Sequence, residues 1–561
     1  MKRLLHILLI SFALLPLTGW GQTVPMGTPL MEEYLRRQQL LGKLDPSVSF
    51  NIRPLSPREA FGFESAVDLD STFTAGEESE YHKPLGTKGR MVMMPAVVRS
   101  QFNSNYAFGN NDGPMIPNRG LQTHISLGVY AEYGRFSLQV QPDLIHAQNR
   151  DYQGFPEEHW GSTWQEYYDF LNMIDQPERF GNGPYTMFFL GQSSLRFNME
   201  HLSFGISSES LWWGPSKRHS LMMSNNAPGF LHLTLNTRKP FQTAIGSFEG
   251  QVIAGRLESS NFLPPNHQLS ERYQMLYHPK RDDEWRYLAG IIVSYQPKWV
   301  PGLSLGYSSV SQMYWNDMDR FSDFLPIFNG DKRARSVNSP AVDRRHQMSN
   351  GFFRWMMPEG HFEFYGEYGS TGNSKRLREF IVNPDEGRAF TLGFVNLHPL
   401  SKKDQFLQVH MEMTLTGQTV RRGIREMNSW YTHPHVRHGY THHGQVLGAG
   451  NGTGSNTFFG ELSWIKNFNR IGFQLEHITY NNDFYYKRFE IIKDFRRKYV
   501  DIVPSLVADW RFGNVLLSSR FQYVNTLNYK WYLENDPDFY MTPGLDRKNF
   551  VANVGVAYIF K

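Results

Sequence analysis

The stretch Ser210-Leu-Trp-Trp-Gly-Pro-Ser-Lys-Arg-His-Ser-Leu-Met-Met-Ser-Asn-Asn-Ala-Pro-Gly-Phe230 brings together two adjacent tryptophans, a Lys-Arg-His triplet and an Asn pair. These side chains suit a carbohydrate ligand. Indole faces stack on the C–H faces of pyranose rings, amides pair with vicinal hydroxyls, and Lys or Arg neutralises a uronic carboxylate. Trp212, Trp213, Lys217, Arg218, Asn225 and Asn226 supply all three chemistries and are the candidate polysaccharide-binding residues. Gly214, Pro215, Pro228 and Gly229 break any regular element, so the residues between them are expected on display in a loop. An alternative stays open: the tryptophans belong to an aromatic girdle or pack a lumenal loop, and the Asn pair satisfies buried backbone.

A second cluster, His433, His435, His438, His442 and His443, invites a metal reading, since imidazoles at short spacing can close around zinc or copper. No carboxylate sits among them and Arg437 adds an unfavourable charge, so no metal is assigned and no cofactor is implied. The cluster reads instead as polar, sugar-facing or loop-packing. His219 and Ser220 adjoin, yet no Gly-x-Ser-x-Gly elbow or other activated-nucleophile pattern accompanies them. No catalytic residue is therefore assigned, and the chain is not read as an enzyme.

The elements that must hold these loops follow from the rest of the chain. Lys2 and Arg3, the apolar run from Leu4 to Leu17 and Gly19-Trp20-Gly21 read as a secretory signal over 1–21, with Gln22 as the mature start. No segment reaches the ~18 uncharged apolar residues that a membrane-spanning helix needs. The 561 residues contain no cysteine, which removes disulfides, a lipoprotein anchor and thiolate metal sites. Net charge is +4, two of it from Lys2 and Arg3, so the mature chain is close to neutral and nucleic acid is not an expected partner.

Aromatic residues make up 15% of the chain, glycine is abundant and mean hydropathy is negative. That combination suits an all-β membrane protein, an outer-membrane antiparallel β-barrel in which lipid-facing and lumen-facing residues alternate. Leu407, Val409, Met411, Met413 and Leu415 share one face of a strand, and Gln408, His410, Glu412 and Thr414 share the other. Phe550, Ala552, Val554, Val556, Tyr558 and Phe560 repeat the pattern at the C-terminus, ahead of Lys561.

Strand pairs are expected at 121–132 with 134–144, 187–198 with 201–211, 241–249 with 251–258, 285–296 with 301–310 and 350–358 with 361–369. They continue at 388–398 with 404–416, 457–466 with 470–480 and 499–511 with 514–525. With 88–99 as the first strand the total is about eighteen, with short turns on the periplasmic side and long loops outside. Strand parity then makes 212–240 an outer or lumenal connection, although 231–236 looks strand-like. So wide a barrel needs a plug or conducts water.

Residues 22–87 read as a periplasmic helical segment ahead of a barrel over 88–561: Leu30, Tyr34, Gln38 and Leu41 fall near helical spacing and Ser56-Pro57-Arg58-Glu59 looks like a helix start. Residues 161–176 form a second helical candidate, and 70–80 a polar link.

With Trp212-Trp213-Gly214-Pro215 followed by Ser224-Asn225-Asn226-Ala227, the chain resembles the capsule-assembly Wzi family, and Gly439-Tyr-Thr-His-His-Gly-Gln-Val-Leu-Gly448 is similar to a second signature of that family. The resemblance implies an outer-membrane barrel with a periplasmic helical bundle, a lectin that holds capsular or exopolysaccharide at the surface of a Gram-negative bacterium. Implied partners are that polysaccharide, outer-membrane lipid and lipopolysaccharide, and the barrel-assembly machinery during biogenesis. Two departures are Ser216, where the family often has Gly, and Pro228, where it often has a basic residue. A channel, or a structural subunit of a surface complex with protein partners, remains the alternative.

Overall fold

The computed structural model describes residues 23–28, 30–56, 60, 82–85, 89–264, 280, 284–324, 344–371, 387–418, 429–534 and 544–560. Within these, twenty-four strands belong to one sheet of antiparallel neighbours. From Gly246–Leu257 onward the strands are 10 to 13 residues long, enough to cross the hydrocarbon of a bilayer when tilted. The last of them, Arg547–Tyr558, pairs with Ala96–Asn103, placing Tyr558 opposite Ala96 and Val551 opposite Asn103.

The alternation expected at 407–415 is present: Gln408, His410, Glu412 and Thr414 are buried, while Met411 stands 51% exposed. Ile471, Phe473 and Leu475 are likewise exposed, and Arg470, Gln474 and Glu476 between them are turned inward. The sheet thus has an apolar outer face and a polar inner one, the arrangement a lipid-facing wall requires. No helix among the described residues is long and apolar enough to cross a membrane.

The N-terminal part of the sheet is more broken. Gly89–Met93 and Ala96–Asn103 continue one another, as do Gly120–Ser126 and Val129–Tyr133, Phe136–Val140 and Asp143–Ala147, and Tyr185–Phe189 and Ser194–Asn198, with a turn at Gly134-Arg135. Gly128 and Gly191 mark two of the interruptions, since a Cβ on either would lie within about 2.5 Å of the Val140 or Gln141 carbonyl oxygen.

One expected hairpin is corrected. Gly246–Leu257 is a single strand that pairs with His232–Thr237 and, past a break before Phe241–Thr243, with that short strand too, so the reversal falls at 244–245 and not at Phe248–Gly250. Pro240, with no amide to donate, lies at the break in the ladder, whereas Gly250 lies within the strand opposite Val293. The segment 231–236, which parity had assigned to a connection, is therefore largely a strand; one hairpin replaces another and the strand parity is preserved.

Short turns gather at one end of the sheet, and a helix α1 (Met31–Leu40) sits inside that end. Tyr34 stacks on Phe468 of the 466–469 turn at 3.8 Å, and Leu40 packs with Met356, Val395, Leu397 and Ile465. A second helix, α2 (Gly161–Leu171), lies at the long-loop end, where Trp164, Tyr167, Tyr168 and Leu171 pack on Phe155, Phe484, Tyr485 and Trp531. The signal segment 1–21, the link 70–80 and the helix start over 57–59 lie outside the described residues.

Candidate functional site

The segment 208–231 leaves the end of strand Leu202–Ser207 and, instead of standing out in solvent, folds back into the interior. The expectation of a displayed loop is corrected here. Trp213 is fully buried with Leu221, Met222, Met223 and Phe230, against Ile253, Leu288, Ile292 and Phe352 of the wall. Its indole N–H donates to Gln251 Oε1 at 2.9 Å. Trp212 is 5% exposed and lies beneath the Arg53 guanidinium at 4.7 Å, in a two-residue ladder that pairs Trp212-Trp213 with Ile52-Arg53. Protein covers both faces of Trp213, whereas Trp212, with Arg53 over its ring, borders an internal cavity.

An irregular segment can be buried only if its amides find acceptors. Two inward glutamates of the wall supply them, and a third holds the Arg218 side chain. Glu412 accepts from the backbone N–H of Lys217, Arg218 and His219 at 2.9, 3.1 and 2.8 Å, and from the Tyr365 hydroxyl at 2.7 Å. Glu367 accepts from the N–H of Ser216 and Leu221 and from Asn350 Nδ2. Both carboxylate oxygens of Glu476 accept from Arg218 Nη2, at 3.1 and 2.9 Å, while the guanidinium stacks on Phe459. The sequence reading missed these carboxylates; the available signal was an acid at an inward position of an otherwise alternating strand.

Asn225 and Asn226 tie the segment to its neighbours. Asn226 Nδ2 donates to the Val446 carbonyl at 2.9 Å and its Oδ1 accepts from Asn111 N–H, while the Asn225 carbonyl accepts from Gly113 N–H at 2.7 Å. Ser224 N–H bonds to the Leu447 carbonyl and the Tyr431 hydroxyl donates to the Leu221 carbonyl, so the two signature stretches, 210–230 and 439–448, are packed on each other. Trp430, Tyr431 and Tyr440 complete that core.

The histidines of 433–443 diverge. His435 meets Asp317 at 2.8 Å, His438 Nδ1 accepts from the Tyr314 hydroxyl, His433 stacks on His346, and His442 Nδ1 accepts from Glu258 N–H. Burial pushes His433 down to about 3, so it packs as a neutral ring at ordinary pH. Among the described residues no group of three or more potential metal-ligating side chains converges.

Trp212, Lys217, Arg218 and Asn225 meet α1 and its flanks around a cavity of about 320 Å³. Lys217 Nζ lies 3.5 Å from Glu33, which also binds Arg470 at 3.0 Å. Burial favours the neutral acid, yet Arg470, Lys217 and Arg37 hold the Glu33 carboxyl well below its usual value. A depressed carboxyl stabilises the fold above its unfolded pKa and ceases to as pH falls through the folded one. Thermal unfolding followed against pH is therefore expected to lose stability on the acid side, and Glu33→Gln is expected to flatten that limb.

At the long-loop end, Trp160 is 43% exposed, with Arg497 and Arg488 at 5.0 and 5.6 Å from its ring. Both cations lie over the indole and Arg497 is already paired with Asp494 at 2.7 Å, so it is the uncovered part of the ring that can meet a sugar.

The family model for "Capsule assembly protein Wzi" matches residues 97–541 of the chain. No curated relative matches it by sequence. The fold is similar to the solved structure of Wzi from Escherichia coli, described as an outer-membrane protein involved in group 1 capsule assembly and a carbohydrate-binding β-barrel. That likeness covers 96% of this chain and 99% of that one, with 14% identity and a TM-score of 0.58. OccAB4 of Acinetobacter baumannii matches over 84% of this chain and 98% of its own at 8% identity, with a TM-score of 0.37.

Proposed function

The chain belongs to the capsule assembly protein Wzi family, and from that membership and the filled interior we propose that it is an outer-membrane lectin that holds capsular or exopolysaccharide at the cell surface and performs no chemistry on it. The observation that carries this over the channel reading is the occupied interior, where the Trp213, Trp430, Tyr431 and Tyr440 side chains are packed among wall residues. A conducting pore needs that space open.

In this reading the sheet is a closed barrel, supported by the pairing of Arg547–Tyr558 with Ala96–Asn103. Counting each of the four interrupted strands once, and setting aside the short additions His82–Leu85 and Phe241–Thr243, reduces the twenty-four strands to eighteen. The short turns and residues 22–87 face the periplasm, the C-terminal strand is read by the barrel-assembly machinery, and the apolar outer face meets lipid and lipopolysaccharide.

Polymer contact falls to the outer rim, with the exposed part of Trp160 as a stacking platform and Arg488, held by the Ser162 and Thr163 hydroxyls, as the cation beside it. Trp212, Trp213, Lys217, Arg218, Asn225 and Asn226 then serve the polymer by holding the interior segments in place. Purified barrel should retain capsular polysaccharide from the host strain in a pull-down and show little conductance in planar bilayers. Trp160→Ala is expected to weaken retention at least about fivefold, since one stacked ring is worth ~1 kcal/mol and a long polymer repeats the contact. A barrel that binds no polymer yet conducts would sink the lectin reading in favour of the channel.

A further inference from the structure

The cavity of about 320 Å³ borders the pairing of the last strand with the first, and two arginines project into it from that wall. Arg520 stands opposite Asn553, which pairs with Gln101; Arg99 stands opposite Gly555, which pairs with Ser518. The two guanidiniums therefore rise from strands on either side of Arg547–Tyr558, a step apart along the ladder, about 10 Å across two inter-strand spacings. The glycine between them leaves the floor of the gap without a side chain.

What sets this corner apart is the state of its charges. Elsewhere on the cavity Arg36 binds Glu363, Arg53 binds Glu32, Arg218 binds Glu476 and Arg470 binds Asp509. Among the described residues, the Arg520 side chain makes no hydrogen bond or ion pair, and its Nε is buried without an acceptor. Arg99 touches no carboxylate: Nε donates to His124 and Nη2 to the Asp112 carbonyl oxygen at 2.6 Å, leaving Nη1 unspent. The nearby Asp112 carboxylate receives Gln101 Nε2 at 3.1 Å and pairs with neither arginine.

A guanidinium stripped of much of its water, with acids such as Asp112 near it but none in contact, is costly, and an anion held by two planar forks offsets that cost. We propose that this corner of the cavity binds a small oxyanion, a carboxylate or phosphate group on a solute no larger than one sugar, between Arg520 and Arg99. The volume is at the low end of ligand pockets and admits either. The site is internal and separate from the rim assigned to polymer, so it stands or falls independently of the lectin reading.

The test is thermal unfolding of the full purified barrel in detergent, followed by heat-modifiable migration, with inorganic phosphate, glucuronate or glucose at about 10 mM and ionic strength matched with sodium chloride. Both anions are expected to raise the midpoint by about 2 °C or more, and glucose is not. A larger shift with glucuronate identifies a sugar acid as occupant, and a larger shift with phosphate identifies the free ion. Arg520→Gln should fold at least as stably as wild type without ligand and lose the anion increment; Arg99→Gln should reduce it. No increment over chloride in the wild type overturns the proposal, as does a full increment in whichever of the two variants assembles.

Discussion

Trp213→Ala is expected to lower the stability of the folded barrel by about 3–5 kcal/mol, the range for removing a large aromatic from a packed interior. The indole is fully buried, donates to Gln251 and fills space made for it by Gly290, where a Cβ would come within 2.8 Å of the ring. Its neighbour gives the internal control. Trp212 lies under Arg53 and its indole nitrogen has no acceptor, so Trp212→Ala should cost less. The temperature at which the compact band disappears on gels measures both. Equal, small shifts for the two variants would show that the interior packing contributes little, and would return the pair to a ligand-facing role.

The second large effect is expected from the wall carboxylates. Glu412→Ala leaves the N–H groups of Lys217, Arg218 and His219 without their acceptor, and Glu367→Ala does the same for Ser216 and Leu221. Each buried donor left unsatisfied costs about 1–3 kcal/mol. The wall does not depend on these bonds, because the strand ladders on both sides of each glutamate are formed by backbone. The double variant is therefore expected to assemble with the segment 208–231 released, and to show a step in single-channel conductance that the wild type lacks. A double variant as closed and as stable as wild type would mean that the segment is held by its apolar contacts alone.

Much of the wall was legible in advance. The faces of 407–415 and 550–560, the hairpins closing at Gly134-Arg135 and at 467–468, and the last strand were read from alternation and turn residues, both of which act over a few neighbours. The helix over α2 was visible from the same kind of local spacing. The hairpin placed at Phe248–Gly250 was misread because Gly250 resembles a turn residue but sits in an extended strand, paired with Val293.

The site was legible in its residues and not in its setting. Sequence alone determined that Trp212 to Asn226 form an irregular segment dense in aromatic and hydrogen-bonding groups, because Gly and Pro break regular structure wherever they fall. Only the tertiary structure decided that this segment lies inside. Burying it requires acceptors for its amides, and these come from Glu367 and Glu412, 151 and 195 residues from the Ser216 and Lys217 amides they hold. Each is an unremarkable acid in its own strand. Their convergence depends on the curvature of the sheet and on an interior too wide for its own side chains to fill, which no local pattern encodes.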